Sequence, residues 1–237
     1  VVVRTRIAAL LRQKAAVDSL EEVEAVLFVL AQAVEQRDEA ISGHCQRLAD
    51  ISAALGEALG LPRAQLLALH RGAYLHDIGK VSVPDSILFK PGPLTPQEWE
   101  VMRQHPIKGA ELCRPVKSFG PVLPIIRSHH ERWDGSGYPD GLAGEDIPLL
   151  ARILQLADIY DALTSPRPYK RPLPGPRALE ILLEETQRGW RDPNLVHLFQ
   201  DVWKTTLWPA ELEPAAPPIP ARSLPESPVE LPVAVLK

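Results

Sequence analysis

The chain is poor in several things at once. Its 237 residues hold two cysteines, Cys45 and Cys113, in unrelated segments. That is too few for a disulfide framework, and a reducing, cytoplasmic setting is the default reading. Aromatic residues make up 5% of the chain. No apolar run approaches the length of about eighteen residues that a membrane span needs, so no membrane association is expected. A basic surplus is missing too. The formal net charge of −4 argues against bulk binding of a nucleic-acid polymer. An anionic small substrate would need a locally basic site instead. The opening Val1-Val2-Val3-Arg4 has no initiator Met and no cleavage signal, which predicts a piece of a longer chain and not a secreted precursor. What is present is an apolar content of 45%, enough for one good-sized core with extensions.

Strand patterning is absent as well. The one Val-rich piece, Lys80-Val81-Ser82-Val83, stops at Pro84. Helical spacing runs almost throughout, so the fold class is all-α. From Arg4 to about Gln36, Leu10, Val17, Leu20, Val23, Leu27, Leu30 and Val34 recur with no Gly or Pro between them. This reads as an N-terminal helical linker over 1–37, compatible with a parallel homodimer. A helix over about 42–59 stops at Gly60, and Pro62 is expected at a first-turn position of the next. Thr95-Pro96-Gln97-Glu98 is a capping box. Further helices are expected at about 107–113, 122–131, 149–164, 177–188 and 195–204. The main helical unit is expected over 38–205. Over 206–237 proline recurs without periodicity, as in an extended or disordered tail.

The chemistry lies in two histidine motifs. His76-Asp77 closes a helical stretch and precedes Ile78-Gly79-Lys80. His129-His130 heads Glu131-Arg132-Trp133-Asp134-Gly135-Ser136-Gly137-Tyr138-Pro139, a loop with two glycines and no regular period. Imidazoles beside carboxylates make a mixed N/O metal site, suited to phosphate chemistry. Adjacent residues on a helix diverge by about 100°. His76 and Asp77 can therefore face one site only near a helix end, where Gly79 breaks the helix.

These motifs, with Arg37-Asp38, His44, His105-Pro106, Ala157-Asp158-Ile159-Tyr160-Asp161 and Arg167-Pro168-Tyr169-Lys170, resemble the HD-GYP family. Its members are metal-dependent phosphodiesterases of the HD superfamily that hydrolyse cyclic di-GMP. The resemblance implies an HD-domain helical bundle with a GYP loop. It implies the metal ligands His44, His76, Asp77, His105, His129, His130 and Asp158. One ion would take His44, His76, Asp77 and Asp158; the other would take Asp77, His105, His129 and His130. Asp77 would bridge them, as two carboxylate oxygens allow. Attack would come from a hydroxide held between two divalent ions. The resemblance favours Fe or Mn, whereas the ligand types suit Zn and Co equally. A glutamate four residues before the first histidine holds a third ion in some members. Ala40 stands there in this chain, which favours two. His70 and His197 read as bystanders.

Lys80, one turn beyond Asp77, is expected to hold a phosphate oxygen or the nucleophile. By the same resemblance Arg167 and Lys170 bind the substrate's phosphates, while Asp38, Gly137 and Tyr138 meet a guanine. Arg132 and Asp134 are expected to stabilise the loop, and Asp161 to support a ligand. The product would be linear pGpG, with GMP as a further step. Two competitors stay open: a catalytically quiet module whose loop recruits a partner such as a diguanylate cyclase, and a phosphohydrolase of another nucleotide. The opening Arg6-Ile7-Ala8-Ala9-Leu10-Leu11-Arg12-Gln13-Lys14 resembles the last helix of a response-regulator receiver domain. That resemblance implies an output domain, though the residues alone favour a plain amphipathic helix.

Overall fold

The protein is described here by a computed structural model covering residues 14, 22–34, 43–166 and 171–207. Asp38, Arg167 and Lys170 lie outside the described residues. So do Glu35, Glu39 and Ala40, most of the first twenty-one residues, and the chain after 207.

Ten helices are described: α1 at 22–34, α2 His44–Ala58, α3 Arg63–Leu75, α4 Asp85–Leu88, α5 Pro96–Met102, α6 His105–Cys113, α7 Leu123–Ser128, α8 Leu149–Thr164, α9 Gly175–Gln187 and α10 Pro193–Val202. Among the described residues there is no strand, only an isolated bridge between Asp134 and Ala143. The all-α expectation holds. Lys80–Val83 belongs to a 3-10 turn, Ile78–Ser82, and its edge.

Local chemistry sets the helix ends. Gly60, at φ 69°, ends α2, and the Leu61 amide reaches back to the Gly56 carbonyl at 2.9 Å. Pro62 caps α3 from just outside, one place earlier than the sequence suggested. The Thr95–Glu98 capping box forms in both directions. Helix α6 opens at His105, earlier than expected, because Pro106 fills a first-turn position where no amide partner is needed. Helix α7 ends at Ser128, sooner than the expected 131, and leaves His129-His130 in the turn beyond it.

Helix α8 is the axis of the bundle and packs against α2, α3, α7, α9 and α10. It buries Ala151, Ile153, Leu154, Leu156, Ala157, Ile159 and Leu163. Each large aliphatic side chain so buried contributes roughly 1.5–3 kcal/mol. Helix α1 lies against α3. Ala31 and Val34 are buried, Phe28 stacks on Tyr74 at 5.1 Å, and Arg71 grips Glu24 at 2.7 and 2.8 Å. The 3-10 turn after α3 is pressed onto α6. A Cβ on Gly79 would meet the His105 carbonyl oxygen at 1.9 Å, so only glycine lets Asp77 approach His105.

Candidate metal centre

Helix ends deliver most of the candidate ligands. His44 is the first residue of α2, and His76 caps the end of α3. Asp77 follows at the head of the 3-10 turn. His105 opens α6, and His129 caps α7 with His130 next to it. Asp158 alone comes from mid-helix, in α8. Its side chain is 14% exposed.

The seven expected ligands come together as two adjoining groups. Asp77, His105, His129 and His130 form one; His44, His76 and Asp158 form the other. Within each group the ligand atoms lie within 4.8 Å of one another. The carboxylate of Asp77 faces both. Its Oδ2 is 3.3 Å from His76 Nε2, while Oδ1 is 3.1 Å from His105 Nε2 and 3.8 Å from His129 Nε2. His70 and His197 belong to neither group and are exposed.

The ring orientations test whether a cation fits. Three rings use the same device. His76 Nδ1 meets the Ala73 carbonyl at 3.0 Å, His105 Nδ1 the Met102 carbonyl at 2.8 Å, and His129 Nδ1 the Ile126 carbonyl at 2.8 Å. A carbonyl only accepts, so each Nδ1 carries the proton and each Nε2 points inward. His44 Nδ1 is held by Asp161 Oδ2 at 2.6 Å, in the carboxylate–histidine arrangement typical of metal ligands. Arg47 binds the same Asp161 carboxylate. The inward nitrogens crowd one another: His105 Nε2 lies 3.2 Å from His130 Nε2 and 3.5 Å from His129 Nε2. His76 Nε2 and Asp77 Oδ1 are buried without a hydrogen bond. Converging nitrogens of this kind make poor mutual partners and good ligands for a divalent ion. The residues present therefore fit a metal.

Histidines of the two groups are shifted in opposite directions. Burial, then the neighbouring imidazoles, pushes His130 well below the usual histidine value, and burial likewise lowers His129. Burial opposes charge on His76 as well, but Asp77 beside it outweighs that and raises it to about 9. His44 is also raised, with Asp161 and Asp158 overcoming burial. Asp77 is held well below the carboxylate range by Lys80 and His76 against the cost of its own burial. Lys80 is buried, with Nζ 2.9 Å from Asp77 Oδ2. Its expected place beside the centre is observed, with its charge turned onto a ligand.

The GYP loop is fastened from beneath. Glu131, fully buried, accepts the amides of Asp140, Gly141 and Leu142 at 2.7, 3.1 and 3.1 Å. Gln155 of α8 donates to the carbonyls of His129 and Glu131. Arg127 forks Asp140 at 2.7 Å through both nitrogens. The Arg132 guanidinium sits 4.1 Å over Trp190, and Asp134 accepts the Ser136 amide at 2.9 Å. The Tyr138–Pro139 peptide is cis. Tyr138 stacks on His130 at 4.8 Å. A Cβ on Gly137 would strike the Arg132 amide nitrogen at 2.2 Å, so this glycine closes the loop on itself. Gln155 and Arg47 escaped the sequence reading because single polar residues outside a motif carry no signal, and Glu131 stood inside the quoted loop without an assigned role. A carboxylate directly after a histidine pair was the one available hint.

Against this geometry, a family model described as the HD domain matches residues 28–195. The chain belongs to the HD-domain family. Its loop after the paired histidines gives it the HD-GYP form. This HD-GYP chain is 44% identical over 188 residues to the cyclic di-GMP phosphodiesterase response regulator RpfG of Xanthomonas campestris, covering 78% of this chain and 50% of that protein. It is 39% identical to the 3'3'-cGAMP-specific phosphodiesterase 2 of Vibrio cholerae, covering 79% of this chain and 36% of the relative. Among solved structures it resembles Bd1817, an HDG"Y"P protein of Bdellovibrio bacteriovorus. That match has 27% identity and a TM-score of 0.56, covering 69% of this chain and 52% of that one. The HD-GYP chain thus spans half the length, or less, of the two curated relatives named.

Proposed function

We propose that this chain is a metal-dependent phosphodiesterase domain that hydrolyses cyclic di-GMP to linear pGpG. The observation that carries the reading is the convergence of seven N/O donors in two groups sharing the Asp77 carboxylate. The names of relatives such as RpfG supply the substrate class. We assign one divalent ion to His44, His76, Asp77 and Asp158, and a second to Asp77, His105, His129 and His130, with Fe or Mn favoured by the family resemblance. When bound, such ions provide a nucleophilic water at neutral pH and polarise the scissile phosphoryl group.

The side chains do the rest. Asp77 spans both groups and fixes their separation. Lys80, whose Nζ lies 2.9 Å from Asp77 Oδ2, would bring its positive charge close to the negative charge that grows on the phosphoryl oxygens. Tyr138 flanks the cluster beside His130, in position to pack against a base. Asp38, Gly137, Arg167 and Lys170 keep their assigned substrate roles as part of this proposal, as does contact between the GYP loop and a partner protein. A second reading, cleavage of 3'3'-cGAMP, is favoured by the Vibrio cholerae relative. Metal analysis together with product identification from both dinucleotides tests the proposal. Two ions per chain and pGpG as product are expected. A fully loaded protein inert toward cyclic di-GMP would reject the reading, and preference for 3'3'-cGAMP would install the second.

A further inference from the structure

We infer that Arg103 is a further substrate-binding residue, gripping the phosphate of the cyclic dinucleotide that is not being cleaved. The inference rests on the phosphodiesterase reading above. Arg103 caps the end of α5, two residues before the ligand His105. Its guanidinium lies 5.4 Å over the Tyr138 ring. That ring stacks on the ligand His130 at 4.8 Å and meets His105 at 6.5 Å. The charged groups acting on Tyr138 include Asp77, Lys80, Arg103 and Asp158. Arg103 therefore stands at the rim of the cluster, on the side of the GYP loop.

Its charge is available to a ligand. The side chain is 46% exposed, and its ion pair with Glu100 is 3.7 Å long and also exposed. Pairs of that kind hold little energy and yield to a better anion. Lys80 differs on both counts, being buried and set on Asp77 at 2.9 Å. A cyclic dinucleotide carries two phosphates. When one is seated over the metal groups, the other must leave the cluster towards its rim. A planar guanidinium steadied on an aromatic ring presents its donor fork to that phosphate at low ordering cost.

The test compares substrates with two phosphates and with one. Metal-loaded wild type, Arg103→Ala and Arg103→Lys are assayed with cyclic di-GMP and with bis(p-nitrophenyl) phosphate, a diester with a single phosphate. Arg103→Ala should raise KM for cyclic di-GMP roughly tenfold to hundredfold, the range for a lost charge-assisted contact. Its kcat and metal content should hold, and its kinetics on the single-phosphate diester should stay within about twofold of wild type. Arg103→Lys, which keeps the charge but loses the planar donor fork, should recover part of the loss. Equal losses on both substrates would assign Arg103 to the placement of Tyr138 or the metal cluster and overturn the inference. A KM for cyclic di-GMP that stays at the wild-type value in Arg103→Ala would overturn it too. Wild type that cleaves the simple diester but neither binds nor cleaves cyclic di-GMP rejects the substrate reading, and this inference with it.

Discussion

Asp161 holds His44 from behind, with Oδ2 2.6 Å from His44 Nδ1. It thereby turns Nε2 toward Asp158, 3.6 Å away. His44 Nδ1 finds a side chain where three other rings of the centre use a backbone carbonyl. It is the ring orientation most open to a point mutation. Asp161→Ala should weaken metal binding at the His44 group about tenfold to hundredfold. Asp161 is lowered to about 2, since His44 and Arg47 outweigh its burial. Its contribution to stability is present above pH 4 and lost as pH falls toward 2. Metal titration and an acid melt of wild type and variant check both statements. Unchanged affinity would show that His44 needs no such support.

Asp77 is the carboxylate shared by both groups. Asp77→Asn should lose metal and nearly all turnover while the helical content survives. Metal content, far-ultraviolet dichroism and rate, measured on one preparation, decide the matter. A variant retaining two ions and normal turnover would falsify the shared-ligand arrangement.

Loading of the two groups should separate with pH. His129 and His130 are lowered, mainly by burial, which favours the neutral, metal-binding form. His76 is raised to about 9 in the metal-free protein, so an ion there must displace a proton. Affinity at the His44–His76 group should therefore climb as pH rises, about tenfold per unit for one proton, and level off above about 9. The group containing His129 and His130 should fill first from the acid side. Two-step binding curves at several pH values report this, and a single step at every pH would count against it.

Gly79→Ala should be strongly destabilising. The added Cβ would stand 1.9 Å from the His105 oxygen and 2.5 Å from the Gly109 nitrogen, both backbone atoms. Relief requires α6 to move, and with it His105. We expect a loss of more than about 3 kcal/mol together with weakened metal binding. Denaturant melts would expose the error if the variant proved as stable as wild type.

Much of this was legible because the ligands cluster in sequence. His76-Asp77 and His129-His130 are adjacent pairs, and the need to place neighbours on one site puts each at a helix end on sequence grounds alone. The fold class followed from helical spacing without strand patterning. Less visible were features that depend on chain direction after a helix ends. The inward turn of His76, His105 and His129 comes from carbonyls three residues earlier, and no pattern of residue types encodes that. Glu131 reads as one charge among several in a loop until its three amide partners appear.

The fastening of the GYP loop has a mechanical consequence. Glu131 follows His130 directly and carries the amides of residues 140–142 on its side chain, so the loop's far limb and a candidate metal ligand hang from neighbouring links of the chain. There is no slack between them to absorb a displacement. A protein that took hold of the loop's outer edge would be pulling a lever whose short arm is His130, and the candidate metal centre would feel an event at a distance from it.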